Sequence, residues 1–460
     1  MNRASSSLLL ITFIATLGGL LFGFDMAVIS GALPFVTDQF HLSDSAQGWF
    51  VSSALMGCMV GVAFSGDLSD RSGRKKLLMA AALLFLLSAV GSALSPGFTV
   101  LVLARVSGGI GVGVASIVAP LYISEIAPAH IRGRLVTFYQ LAITAGILIA
   151  YFTNFLLLQF SLGHNSDTLP LILHLVFVKE IWRGMIGVGA IPSILFLAGL
   201  FFVPESPRWL IQNNRREEGL AILQRITGTA IGADNVLPAP AAAGSAKGFY
   251  RELLSPAMRK PLLIGILLPV FSQFSGINAV IYYGPRILHD AGINISNAFL
   301  SQVIFGVANF IFTLIAIWKV DTMGRRPLYI AGSIGGTLSL LFTGICFYNG
   351  ATSNIALVIS IILFLACFAF SLGPLKFVIA AEIFPTQIRG RAMALSIMAM
   401  WLSDTIVGQL TPVLLGRAGA AVTFWFFATC CLLAFLTVLK MVPETKGRTL
   451  EEVEGMWQGH

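Results

Sequence analysis

Charge is what this sequence has least of. Only 11% of its 460 residues are Asp, Glu, Lys or Arg, where an ordinary soluble chain carries about a quarter. So sparse a charged surface cannot be kept in water, which excludes a soluble globular protein. Cysteine is scarce as well: Cys58, Cys346, Cys367, Cys430 and Cys431 all lie within apolar blocks. There they read as small packing residues, and no disulfide framework follows. The six histidines (His41, His130, His164, His174, His289 and His460) are scattered. Without a cluster of histidines or carboxylates there is no catalytic set and no metal-ligand spacing. Neither an enzyme nor a resident cofactor or metal is expected. Short alternating strands, the mark of a membrane barrel, are missing too.

What is present is apolar sequence in long blocks. Hydrophobic residues make up 56% of the chain, in runs of about 20, the length that crosses a ~30 Å hydrocarbon core at ~1.5 Å per residue. The first run imitates a secretory signal but is too long for one, and further spans follow directly, so it is read as a transmembrane helix. The expected spans are roughly 8–31, 47–66, 77–95, 98–121, 135–159 and 183–203, then 261–288, 298–319, 327–348, 354–380, 392–416 and 421–441. The fold class is an all-α polytopic membrane protein with twelve transmembrane helices.

Charge, where it occurs, repeats. Ser124–Arg134 (SEIAPAHIRGR) returns as Ala381–Arg391 (AEIFPTQIRGR), 257 residues on. Asp70-Arg-Ser-Gly-Arg-Lys75 returns as Asp321-Thr-Met-Gly-Arg-Arg326 after 251 residues. A weaker pair is Pro204-Glu-Ser-Pro-Arg208 and Pro443-Glu-Thr-Lys-Gly447. The same signatures in the same order mean two copies of one unit. The chain divides into an N-terminal six-helix half (1–203), a linker with short helices (204–260), a C-terminal six-helix half (261–442) and a tail (443–460). The stretch 231–248 is rich in Ala, Pro and Gly and is expected to be flexible. With both termini cytoplasmic, 23 of the 29 Lys and Arg residues fall on the inner side, as the positive-inside rule requires. The net charge of +8 is thus spent on topology. The basic residues form no binding face, and no nucleic-acid partner is expected.

The repeated charges admit two readings. In one they only fix orientation. In the other, Asp70, Arg71 and Arg74, with Asp321 and Arg325 in the second copy, form a cytoplasmic latch that closes in one conformation and opens in another. The natural partners are Glu125 and Glu382 at the inner ends of spans 4 and 10, with Arg132 and Arg389 seven residues on.

Together with Pro204-Glu-Ser-Pro-Arg-Trp209, Gln273-Phe-Ser-Gly-Ile-Asn278 and Pro443-Glu-Thr-Lys-Gly447, these motifs resemble the sugar-porter branch of the major facilitator superfamily. The likeness extends to its bacterial proton-coupled symporters and covers nearly the whole chain. It implies two six-helix bundles, one sugar site between them and alternating access, with facilitated uniport as the alternative activity and drug/proton antiport a more distant one. The partners it implies are a monosaccharide (hexose or pentose), protons and the lipid bilayer of the plasma (inner) membrane, with the protein working as a monomer.

Independently of that likeness, a sugar calls for uncharged amides and an aromatic face. Gln273, Asn278 and Asn309 lie in apolar spans of the second half, and Gln140 and Trp401 complete a ring. Asn and Gln also bond helix to helix in membranes; it is their coincidence with the family's sugar contacts that favours a site. The likeness adds Phe22 and Phe377. There are departures: Ser272 precedes Gln273 where the family has a second glutamine, Lys376-Phe377 stands where its pattern ends in Trp, Met400 replaces a frequent amide, and Asp404 a frequent Asn. Lys376 and Asp404 are expected to pair across spans 10 and 11, with Asp404 also accepting sugar hydroxyls.

Buried charge is costly unless paired or at work. Asp25 and Arg105 both lie roughly 10 Å below the same face, counted at ~1.5 Å per residue from the outer ends of spans 1 and 4, so they can pair. The resemblance assigns Asp25, within Phe22-Gly-Phe-Asp25, to proton coupling, with Arg105 its partner.

Overall fold

The computed structural model describes residues 3–128, 131–163, 170, 174–227, 255, 258–350, 354–385, 388–446, 452 and 456. Its elements are α1 (Arg3–Phe40), α2 (Asp44–Ser72), α3 (Arg74–Ala93), α4 (Phe98–Ile126), α5 (Arg132–Gly163), α6 (Ile181–Gly187), α7 (Ala190–Phe201), α8 (Pro207–Gln212) and α9 (Arg216–Thr227). They continue with α10 (Arg259–Phe274), α11 (Ile277–Asp290), α12 (Ile295–Met323), α13 (Arg325–Tyr348), α14 (Asn354–Cys367), α15 (Gly373–Ile383), α16 (Arg389–Arg417) and α17 (Gly419–Met441). Among the described residues, 12 stretches are helical, long and apolar enough to cross a membrane, from Leu8–Phe40 to Gly419–Met441. All twelve expected spans are there. The first runs further than expected, to Phe40 rather than residue 31, carrying Pro34 inside it. Helix α1 thus outlasts its apolar run, because its backbone bonds do not depend on the side chains being greasy.

Apolar side chains face outward as well as inward, and many hydroxyls are buried. Leu9, Phe13, Leu87, Leu103 and Phe202 are exposed, while Ser52, Ser53, Ser88, Ser272 and Thr343 are buried. Without water on the outside, helices associate through small and hydroxyl-bearing residues rather than through apolar burial. Many hydroxyls satisfy themselves by donating to a carbonyl one turn back, as Ser333 Oγ does to Tyr329 O at 2.7 Å.

The chain forms two compact units, one of Met1–Leu42 with Ser53–Pro240, the other of Ser43–Ser52 with Ala241–His460. The first turns of α2 therefore group with the second unit. There Arg286 reaches Asp44 at 2.9 Å and Gln47 at 2.6 Å. In the first unit α1 packs on α5 and α4, and α3 on α4; in the second α13 packs on α17 and α14, and α10 on α16. The expected short linker helices are α8 and α9, and the stretch expected to be flexible lies outside the described residues.

Two spans are broken where the site residues lie. Span 10 makes a π-helical turn, Phe368–Leu372, just before Gly373-Pro374. Proline has no N–H and its ring crowds the carbonyl four residues back, and an extra residue per turn relieves both. Span 7 breaks between α10 and α11 at Gly276, whose φ of 84° is left-handed. Only glycine takes that conformation without strain. A Cβ there would also meet the Phe427 ring at 2.4 Å. Gly276→Ala should therefore lower the melting temperature in detergent, from about 1–2 kcal/mol of backbone strain plus the clash. A melting temperature equal to wild type would mean that the break does not need glycine.

Candidate functional site

In the first unit, Arg105 Nη1 donates to Asp25 Oδ1 at 2.7 Å, and Nη2 to the Asp25 carbonyl at 3.3 Å. The expected pair is formed. The side chains are 1% and 14% exposed. The pair is incompletely bonded: Asp25 Oδ2 and Arg105 Nε have no hydrogen-bond partner among the described residues. One carboxylate oxygen is thus left to take a proton without first losing a bond. Phe22 is half-buried one helical turn before Asp25, and Gln140 is exposed on α5.

In the second unit the break at Gly276 does what a regular helix could not. Residues five apart on an α-helix point about 140° away from each other, yet Asn278 Nδ2 donates to Gln273 Oε1 at 2.8 Å. The same nitrogen donates to Asp404 Oδ1 on α16 at 2.7 Å, and Tyr282 OH donates to Oδ2 at 3.2 Å. The structure so brings Gln273, Asn278 and Asp404 into one buried network. Tyr282 was not anticipated; its place four residues after Asn278, on the same helix face, is the signal that could have found it. Trp401 is buried on α16 one turn before Asp404, while Asn309 on α12 and Phe377 on α15 are half-buried.

The expected ion pair between Lys376 and Asp404 is not formed. Lys376 Nζ donates instead to Ser272 Oγ at 2.9 Å, and lies 5.2 Å from the Phe377 ring centre and 5.9 Å from that of Phe368. The π-helical turn shifts the phase of span 10 ahead of Lys376, which a spacing count along a regular helix does not anticipate.

The repeated charges meet at one end of each unit. In the first, the Arg74 guanidinium holds Glu125 through two nitrogens, at 3.0 and 2.9 Å, and Asp70 at 3.0 Å. Ser206 Oγ also donates to Glu125. Glu205 accepts from the backbone N–H of Arg74 (2.9 Å) and Lys75 (3.0 Å), capping α3. The second unit repeats the contacts of both glutamates. Arg325 reaches Glu382 at 3.2 Å, Thr445 donates to Glu382 at 2.5 Å, and Glu444 caps α13 through the N–H groups of Arg325 and Arg326 at 3.1 Å each. Gly73 and Gly324, with φ of 94° and 89°, turn the chain into these caps.

The glutamates have the partners expected of them, the arginines of the other repeated motif, while Arg389 bonds elsewhere. Glu125 and Glu382 pair with Arg74 and Arg325, and Arg389 Nε donates to the Phe384 carbonyl at 3.2 Å. Helix α4 ends at Ile126 and α15 at Ile383, so a seven-residue spacing to Arg132 or Arg389 crosses a helix break and carries no two-turn register. The side chains of Arg132 and Asp321 lie outside the described residues, and Arg71 is exposed.

Glu444 lies outside the spans. Burial alone would raise its carboxyl pKa, but backbone N–H groups of Lys446, Arg325, Arg326 and Thr445 outweigh that and hold it below the usual carboxylate range. A depressed folded pKa stabilises above the unfolded value, and that contribution is lost as pH falls through the folded one. Glu444→Gln should therefore lower the melting temperature most at neutral pH, with the gap to wild type closing below about pH 4. A gap independent of pH would show that the charge plays no part in the cap.

A sequence profile of the family described as Sugar (and other) transporter matches residues 11–457. The chain is 40% identical over 457 residues to an arabinose-proton symporter of Bacillus subtilis (strain 168), covering 99% of this chain and 96% of that one. It is 39% identical over 487 residues to a D-xylose-proton symporter of Escherichia coli (strain K12), again covering 99% and 96%. Among solved structures, a partially occluded inward open conformation of the xylose transporter XylE from E. coli superposes with a TM-score of 0.82 at 36% identity, over 97% of this chain and 100% of that one. With twelve spans in two units and these relatives over its whole length, the chain belongs to the sugar transporter family and has the major facilitator fold.

Proposed function

We propose that this protein imports a monosaccharide, a pentose or a hexose, together with a proton by alternating access. The observation that carries this reading is the buried Asp25–Arg105 pair, with one carboxylate oxygen unbonded. The relatives named as proton symporters for arabinose, xylose and galactose support it. Protonated on the outside, Asp25 releases Arg105 and lets the sugar-loaded carrier turn over. Deprotonated on the inside, it takes Arg105 back and resets the carrier. We assign sugar contacts to Gln273, Asn278, Asn309, Phe377, Trp401 and Asp404, and to Phe22 and Gln140 on the first unit. The charged clusters around Glu125 and Glu382 are assigned to a cytoplasmic latch, with both termini on the cytoplasmic side of the plasma (inner) membrane and the protein working as a monomer.

Uptake into proteoliposomes tests the coupling. Asp25→Asn mimics the protonated state, so the variant should exchange labelled sugar at equilibrium yet fail to concentrate it when an inward proton gradient is imposed. Accumulation by that variant equal to wild type would place the proton elsewhere, and gradient-independent uptake by wild type would make the protein a uniporter.

The amides give a second test. Asn278→Ala removes two donated bonds and strands Gln273 and Asp404, so sugar binding should weaken by about 1–3 kcal/mol. Unchanged affinity in a folded Asn278→Ala protein would remove that residue from the site.

A further inference from the structure

Lys376 has no task in the scheme above. It is 6% exposed and bears the cost of an ammonium inside a membrane. One neutral acceptor, Ser272 Oγ, and two aromatic faces offset only part of that cost. An ammonium has three N–H donors, and a carboxylate has about four lone-pair sites. Asp404, 2% exposed, accepts one bond from Asn278 and one from Tyr282. The two charges act on each other through space, yet no direct salt bridge joins them. Both sit beside the amides. Ser272 is the chain neighbour of Gln273, and Asn278 links Gln273 to Asp404.

A balanced but separated pair of charges is suited to a neutral group that donates and accepts. A hydroxyl does both, and each bond to a charged partner is about twice as strong as a neutral one. We propose that Lys376 and Asp404 form a charged clamp on hydroxyls of the transported sugar and decide which hydroxyl pattern is accepted. This rests on the sugar-transport reading. It takes over what the resemblance to the family implies the chain lacks at Ser272 and Met400, and it narrows the substrate. Because Asp404 already balances Lys376, the fitting ligand is a neutral sugar. An acidic sugar would leave an excess negative charge buried.

The test uses the full-length protein in proteoliposomes and whichever of D-xylose, L-arabinose and D-galactose is taken up fastest. Analogues of that sugar have each hydroxyl in turn removed or replaced by fluorine, which accepts weakly and cannot donate. Where a hydroxyl donates to Asp404, both the deoxy and the fluoro analogue should lose about tenfold to a hundredfold in affinity. Where a hydroxyl accepts from Lys376, the deoxy analogue should lose as much and the fluoro analogue should keep most of its affinity. Lys376→Met should erase the penalty at the second position only, and Asp404→Asn should shrink it at the first only.

If both variants instead weaken the parent and every analogue by one common factor, the side chains only support packing and the clamp is wrong. Tighter competition by the corresponding uronic acid than by the parent sugar would overturn it too. Should a variant fail to fold, the wild-type series decides, since no position separating deoxy from fluoro means no ammonium on a hydroxyl. A wild type that takes up none of the three sugars overturns the transport reading and the clamp with it. Uptake with a flat analogue profile overturns the clamp alone.

Discussion

No water reaches a polar atom that faces lipid in the middle of a bilayer, and the rest of this structure depends on that. Every backbone group within a span has to bond internally, so the chain is helical wherever it crosses. Two interruptions within spans fall beside polar side chains. The left-handed Gly276 parts α10 from α11 between Gln273 and Asn278, and the π-helical turn Phe368–Leu372 precedes Lys376. Both interruptions lie beside the polar network of the second unit, so the irregular backbone and the chemistry coincide. A continuous span 7 would have turned Gln273 and Asn278 away from each other.

The same constraint explains why the charged sequence repeats more faithfully than the apolar sequence around it. Leucine, valine and phenylalanine facing lipid are interchangeable at little cost, so nothing holds the two copies together there. The ends of the helices are different. In each unit an arginine, a glutamate at the end of a span, a second glutamate capping the next helix and a hydroxyl beside it form one interlocking set, Arg74–Glu125–Glu205–Ser206 and Arg325–Glu382–Glu444–Thr445. Changing one member leaves a part-buried charge or an uncapped helix, and each position is therefore constrained by the others.

How much could be read without coordinates follows from the range of each signal. Span number and position rest on composition over about 20 residues, and all twelve were legible. The Asp25–Arg105 pair was legible because depth in a helix can be counted and both residues lie inside unbroken helices. Burial on adjacent spans was not enough to pair Lys376 with Asp404, because a π-helical turn alters the phase of span 10 ahead of the lysine. Arg74 and Glu125 lie 51 residues apart, yet their pairing was legible because both belong to charged motifs that recur together at helix ends. Tyr282 was passed over because a tyrosine among apolar residues looks like packing until its hydroxyl is seen on Asp404.

The buried arginines differ in a way that bears on what each can do. Arg74 uses all three nitrogens of its guanidinium, on Glu125, Asp70 and the Ser69 carbonyl, and its glutamate takes a further bond from Ser206. Separating that set breaks several charge-assisted bonds at once, so it holds one arrangement firmly. Arg105 is the more deeply buried, yet it meets Asp25 through one short bond and one longer backbone contact, with Nε and the second carboxylate oxygen unbonded. Such a pair is held by few bonds, and in the proposed cycle a proton on Asp25 cancels the charge that Arg105 faces. Light bonding of this kind is what the proposed proton switch requires. The richly bonded clusters at the helix ends suit holding a conformation, and the sparsely bonded pair within the membrane suits being moved between two.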